Sequence, residues 1–235
     1  MLTDPAKFER MFTPQLHILP LPQRLLWDEL DQVPAEFVLY GGTAVALHLG
    51  HRQSVDFDFF GNQYFDPVKL TATIPFMATA TITQREPNTL SGTVERGGPV
   101  KLSFFGLPDI PRLMPPHVTD NGVQIASLLD LAGMKAAVVQ QRAEAKDYID
   151  LDAIITDDRI DLPTALAAAR AIYGRTFNPQ ITLKALSFFD DGNLRRVPNA
   201  MQERLAKAAR EVDLDRLPTL PNIERGAEHD NGLEQ

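Results

Sequence analysis

Between Glu36 and Phe60 the chain reads EFVLYGGTAVALHLGHRQSVDFDFF, and few folds accommodate that order. EFVLY is short and apolar and runs into Gly41-Gly42, which predicts a buried strand ending in a sharp turn. TAVALHLG has the length and composition of one short helix closed by Gly50. SVDFDFF then alternates strictly: Val55, Phe57 and Phe59 fall on one face of a strand, and Asp56, Asp58 and Phe60 fall on the other. The two acids therefore point the same way, beside the glycine pair and off the face expected to pack on the core.

The rest of the chain divides by period. PQRLLWDELDQV (22–33) reads as helix. Residues 78–86, 89–97 and 99–106 read as successive antiparallel strands, with Pro87-Asn88 and Gly97-Gly98 as the turns between them. A proline-rich connection covers 107–122, after which helices are predicted over 126–141, 146–155, 163–173, 179–189 and 199–212. The expected fold is α+β: a mixed sheet with flanking helices over 1–122, a helical domain over 123–215, and a disordered tail over 216–235.

Composition narrows the chemistry. The chain contains no cysteine, which removes thiolate metal sites and a thiol nucleophile. No apolar run approaches the roughly 20 residues of a membrane span, and MLTDPAKFERMF lacks a signal-like hydrophobic core, so a cytoplasmic protein without membrane contact is expected. A net charge of −8 argues against binding nucleic acid by bulk electrostatics, although RRVPNAMQERLAKAAR (195–210) carries five basic residues against Glu203 alone. That segment is either a solvated helix face or a local landing surface for RNA.

Carboxylates at i and i+2 of one strand lie roughly 7 Å apart at the backbone, so their side chains can converge on a hard cation such as Mg²⁺. Such ions clamp the oxygens of a phosphoryl displacement. Gly41 and Gly42, with Thr43 at a helix start, can bring backbone amides close to a triphosphate, and the Thr43 hydroxyl would also be available to it. Taken singly, the glycine pair reads equally as a plain turn and the D-x-D as a solvated face. Strand, Gly-Gly-Thr, helix and Arg52-x-Ser54-x-Asp56-x-Asp58 in succession are harder to explain that way. Arg52 either contacts phosphate or pairs with Asp56, and Ser54 either positions metal-bound water or holds the loop. His48 and His51 lack the further imidazole or cysteine that a zinc site requires.

GGTAVALHLGHRQSVDFDFF resembles the signature of the nucleotidyltransferase AbiEii/AbiGii toxin family, a branch of the polymerase-beta-like nucleotidyltransferase superfamily. A second segment, SLLDLAGMKAAVVQQRAEAKDYIDLDAI, is similar to that family's D-x4-K and R-x3-K-D-x2-D motifs, matching Asp130, Lys135, Arg142, Lys146, Asp147 and Asp150. On an unbroken helix Lys135, Arg142 and Lys146 would share a face within about 40°. Alternatively a second helix begins at Lys146–Asp147, with Asp147 as its N-cap and Asp150 near N3.

The resemblance implies a Mg²⁺-dependent transfer of a nucleotidyl group from an NTP to an acceptor hydroxyl, on tRNA in some members, by a growth-arresting toxin paired with an antitoxin. It implies that Asp56 and Asp58 hold the metal, that Gly41, Gly42, Thr43, Arg52, Ser54 and Lys146 contact the nucleotide, and that Lys135 and Asp147 act in catalysis. One departure stands out. The superfamily places a third carboxylate on a neighbouring strand, whereas VKLSFF offers Lys101 and Ser103, so Asp147 is expected to supply the missing oxygen or a second ion to arrive with the nucleotide. A nucleotide-binding or antitoxin-contacting module without turnover, and a transferase acting on protein, are the alternatives.

Overall fold

The structure, a computed structural model, describes residues 12–220, so most of the expected tail and the first residues of the chain lie outside the described residues. Seven strands form one mixed sheet: β1 (Phe37–Tyr40), β2 (Asp56–Gly61), β3 (Thr81–Glu86), β4 (Thr89–Glu95), β5 (Pro99–Gly106), β6 (His117–Val118) and β7 (Gln124–Ile125). Their order is β3-β4-β5-β2-β1-β7-β6. β2 runs antiparallel to β1 and parallel to β5, so it is paired along both edges and held in the middle of the sheet.

The helices are α1 (Leu21–Trp27), α2 (Gly41–Leu49), α3 (Pro67–Thr73), α4 (Leu128–Val138), α5 (Ala145–Thr156), α6 (Leu162–Tyr173), α7 (Pro179–Ala185) and α8 (Asn199–Glu211). The alternation read in β2 is realised: Phe57, Phe59 and Gly61 are buried, while Asp56, Asp58 and Phe60 are half-buried on the other face. On the core face Phe59 stacks on Phe104 at 5.2 Å between ring centres, and Phe37 meets Phe104 edge-on at 5.4 Å. Such aromatic pairs add to simple area burial. One hydrophobic core continues from the sheet through α4, α5 and α6.

Several elements differ from expectation. α3 was not legible from period; Asp66 caps it by accepting from the Val68 and Lys69 amides, and Pro67 occupies its first position. The proline-rich connection contains β6, which pairs with β7 just beyond it as a hairpin, and β7 extends the sheet beside β1. The boundary expected at residue 122 falls inside that hairpin. The helix expected to reach Gln141 stops at Val138, and α5 begins at Ala145. Asn193 holds the intervening loop: its side chain accepts from the Ala145 amide at 2.6 Å and donates to Glu144 at 3.0 Å, and its amide donates to the Ala143 carbonyl at 3.3 Å. The end of α4 itself tightens, the Gln140 and Gln141 amides donating to the Ala137 and Val138 carbonyls three residues back.

Candidate active site

β1 delivers the chain into α2 through Gly41, whose φ of 71° is left-handed. A Cβ there would lie 2.7 Å from Asp58 Oδ2, so the first glycine lets the backbone pass directly behind that carboxylate. Tyr40, the N-cap of α2, makes no side-chain cap, and the first turn of the helix opens beside Asp58 without one. Gly42 has a different neighbour. A Cβ there would come within 2.3 Å of Arg52 Nη2 and 3.2 Å of Asp150 Oδ2.

Neither Asp56 nor Asp58 makes a side-chain hydrogen bond or ion pair among the described residues. Burial first, and then the adjacent Asp56, push the Asp58 carboxyl above its ordinary value, against the pull of Lys101, Lys146 and Lys135. Two neighbouring unpartnered carboxylates, one of them largely buried, fit a hard divalent cation, and Mg²⁺ is commonly held by one or two protein carboxylates plus substrate phosphates. Among the described residues no three acidic or histidine side chains gather as a metal group.

Asp147 therefore does not join Asp56 and Asp58 as a third acid. Its oxygens accept from Lys135 Nζ at 2.7 Å and from Arg142 Nε and Nη2 at 2.7 and 3.1 Å. Burial alone would raise its carboxyl, but the Arg142 hydrogen bond and Lys135 hold it below its ordinary value. Asp147 is also not the N-cap of α5; Glu144 takes that position, and Asp147 lies in the first turn. Lys135, 7% exposed, reaches a second carboxylate as well, Asp150 at 2.7 Å.

Asp150 is the centre of the buried network. Arg52 grips it through Nε at 2.6 Å and Nη2 at 2.9 Å, and His51 Nε2 donates to it at 2.8 Å. Desolvation opposes ionisation, but His51, Lys135 and Arg52 together keep the Asp150 carboxyl well below its ordinary value. Arg52 does not pair with Asp56: its carboxylate partner is Asp150, supplied by α5. The Thr43 hydroxyl faces inward, 2% exposed, towards Ser54 Oγ at 2.8 Å and the Asp56 carbonyl, so Thr43 and Ser54 tie α2 to the start of β2. Asp130 anchors the proline-rich connection, accepting from the Leu113 and Met114 amides at 2.7 and 3.1 Å.

A cavity of about 320 Å³ opens beside Asp58. Gly41, Asp58, Lys135, Arg142 and Asp147 line its polar side, and Phe60, Phe105, Met134, Val138 and Tyr173 its apolar side. This volume lies at the lower end of small-molecule sites and combines charge with an aromatic wall. Lys146 is exposed, is not among the residues that line the cavity, and is one of the charges acting on Asp58. The expected single helical face of Lys135, Arg142 and Lys146 does not form, because the helix is interrupted; the loop brings Lys135 and Arg142 together on Asp147 instead.

Sequence reasoning missed the His51–Asp150–Arg52 cluster and the Phe105, Met134, Val138 and Tyr173 wall. Phe105 had a usable signal, since it stands on β5 in register with Phe60, two residues beyond Asp58. Asp150 lies 98 residues from Arg52, and no local pattern joins them.

A mixed sheet that carries two adjacent acids on a central strand, behind a glycine-opened helix and facing a cation-lined cavity, defines a nucleotidyltransferase-type fold. A family model described as nucleotidyl transferase AbiEii toxin, Type IV TA system, matches residues 24–228, and the chain belongs to that family of nucleotidyltransferases. An uncharacterized protein of Aquifex aeolicus (strain VF5) is 32% identical over 159 residues, spanning 66% of this chain and 75% of its own. Two solved structures share the fold. MenT4, the nucleotidyltransferase toxin Rv2826c from Mycobacterium tuberculosis H37Rv, aligns with TM-score 0.58 and 16% identity over 80% of this chain and 83% of its own. A candidate nucleotidyltransferase from H. pylori aligns with TM-score 0.52 and 17% identity over 80% of this chain and 91% of its own.

Proposed function

We propose that the protein transfers a nucleoside monophosphate from an NTP, with Mg²⁺, to a hydroxyl of RNA, tRNA being the acceptor to test first, and that it does so in the cytoplasm as the toxin partner of an antitoxin. The observation that carries this reading is the unpartnered Asp56–Asp58 pair beside Gly41 at the mouth of a cavity lined by Lys135 and Arg142. When bound, the divalent ion would draw the triphosphate to the two aspartates and offset charge on the reacting phosphate.

The chain's own groups account for the rest. The backbone of the first turn of α2 approaches the phosphates, a role that glycine at positions 41 and 42 permits. Arg142, half exposed and fixed by Asp147, and Lys135, fixed by Asp147 and Asp150, present positive charge to the triphosphate without reorganising. The aromatic wall excludes water on the side of the base. As the acceptor oxygen bonds to the α-phosphorus, the bond from that phosphorus to the bridging oxygen breaks and pyrophosphate leaves with the electron pair. The acceptor's proton is released to solvent water, since Asp56 and Asp58 are engaged with the ion.

The basic segment 195–210 contributes less to RNA binding than its composition suggests. Arg204 pairs with Asp152 at 2.6 Å, Arg195 lies 3.6 Å from Asp190 and Lys207 lies 3.8 Å from Glu211. The test is incubation with each α-labelled NTP, Mg²⁺ and total tRNA, beside a variant with Asp56→Ala and Asp58→Ala. Label on RNA only with the parent is the expected result and names the donor; NTP binding without label on RNA or protein would overturn the reading in favour of a module without turnover.

A further inference from the structure

The strands flanking the two acids carry no third one. In the parallel register of β2 and β5, Asp56 stands beside Lys101, Asp58 beside Ser103 and Phe60 beside Phe105. In-register neighbours share a face, and Phe60 and Phe105 do so visibly, meeting edge-on at 5.6 Å in the cavity wall. One strand further, β4 places Thr93 opposite Lys101 and Ser91 opposite Ser103. On the other side, β1 offers Tyr40 opposite Asp58 before the chain turns into α2. The acids of α5 are committed, Asp147 to Lys135 and Arg142, Asp150 to His51, Arg52 and Lys135, and Asp152 to Arg204. Lys101 is exposed and makes no ion pair among the described residues.

The position where a third carboxylate would help to hold a second ion is therefore filled by a fixed positive charge about one strand spacing, roughly 4.8 Å at the backbone, from Asp56. Two carboxylates balance one divalent ion. A second divalent ion would find only triphosphate oxygens as anionic ligands, and it would sit beside an ammonium with no protein carboxylate to offset it, which close-range electrostatics disfavours. We propose that the site works with a single divalent ion held by Asp56 and Asp58, and that Lys101 is a catalytic residue whose ammonium supplies the second positive charge to the reacting phosphate. The inference rests on Asp56 and Asp58 being the metal site of the proposed function.

The test uses the full chain with Mn²⁺ and an αβ-methylene NTP analogue, read by electron paramagnetic resonance and by the number of ions bound per chain. The parent is expected to show one isolated ion per chain. Lys101→Asp, which restores a third acid, is expected to bind two, with the dipolar coupling of ions about 3.5 to 4 Å apart. Lys101→Met is expected to bind Mn²⁺ about tenfold more tightly, because a like charge is gone, while single-turnover transfer falls about a hundredfold. A merely structural lysine would not move those two readings in opposite directions. A coupled pair of ions in the parent, or a Lys101→Met variant with unchanged Mn²⁺ affinity and rate, overturns the inference and leaves the metal site standing. Mn²⁺ binding that is the same in the parent and in Asp56→Ala overturns both.

Discussion

Gly41 and Gly42 are adjacent, yet different neighbours hold each of them to glycine. At Gly41 the left-handed φ and the Asp58 carboxylate at 2.7 Å act together, so Gly41→Ala is expected to cost roughly 1–2 kcal/mol of stability and to abolish nucleotidyl transfer by displacing Asp58. Urea unfolding beside a transfer assay checks both. Asp58→Asn should behave differently. Its carboxylate is buried next to a like charge without a partner, so removing the charge is expected to leave stability unchanged or slightly higher while transfer is lost. A fall in the unfolding midpoint on that substitution would mean that Asp58 has a structural partner.

At the scale of elements, α5 is the clasp between the helices and the sheet. It brings Asp150 to Arg52 and His51 on the link between α2 and β2, and both Asp147 and Asp150 to Lys135 on α4. Removing one partner of a buried ion network leaves charge uncompensated, so Asp150→Ala is expected to destabilise the protein by about 3–5 kcal/mol, well above the effect of a surface pair. The sign of the pH dependence follows from the direction of the shift. A carboxyl held below its ordinary value contributes stability above its unfolded value and loses that contribution as pH falls through the folded one. The difference between parent and Asp150→Ala should therefore be full at neutral pH and shrink below about pH 4. Denaturant titrations across that range measure it.

In the molecule as a whole, sheet and helices share one core, and β7 pairs with β1 from beyond the boundary expected at residue 122. A second acid-sensitive point lies away from the cleft. His48, at the end of α2, donates from Nε2 to the Ala126 carbonyl at 2.8 Å, and burial pushes it down to about 3, with only partial relief from that carbonyl. A histidine held neutral contributes stability fully above its unfolded value near 6.5 and loses it as pH falls towards the folded one, up to about 2 kcal/mol by pH 5. His48→Gln, which retains a donor and cannot be charged, is expected to lose less stability than the parent between pH 7.5 and 5.

Local pattern alone made the succession from β1 through α2 to β2 legible, together with the common face of Asp56 and Asp58, because period and glycine placement are properties of neighbouring residues. Lys101 and Ser103 came into view only through the family resemblance, and their register beside Asp56 and Asp58 is set by the pairing of β5 with β2. Tertiary structure decided which charges meet. Arg52 lies 98 residues from Asp150, Lys135 is on a helix that stops at Val138 before a loop held by Asn193, and Thr43 turns inward to Ser54. Pairing of charges across such separations depends on where packed elements place them and on the cost of burying any of them alone, and neither is written in a local stretch of sequence.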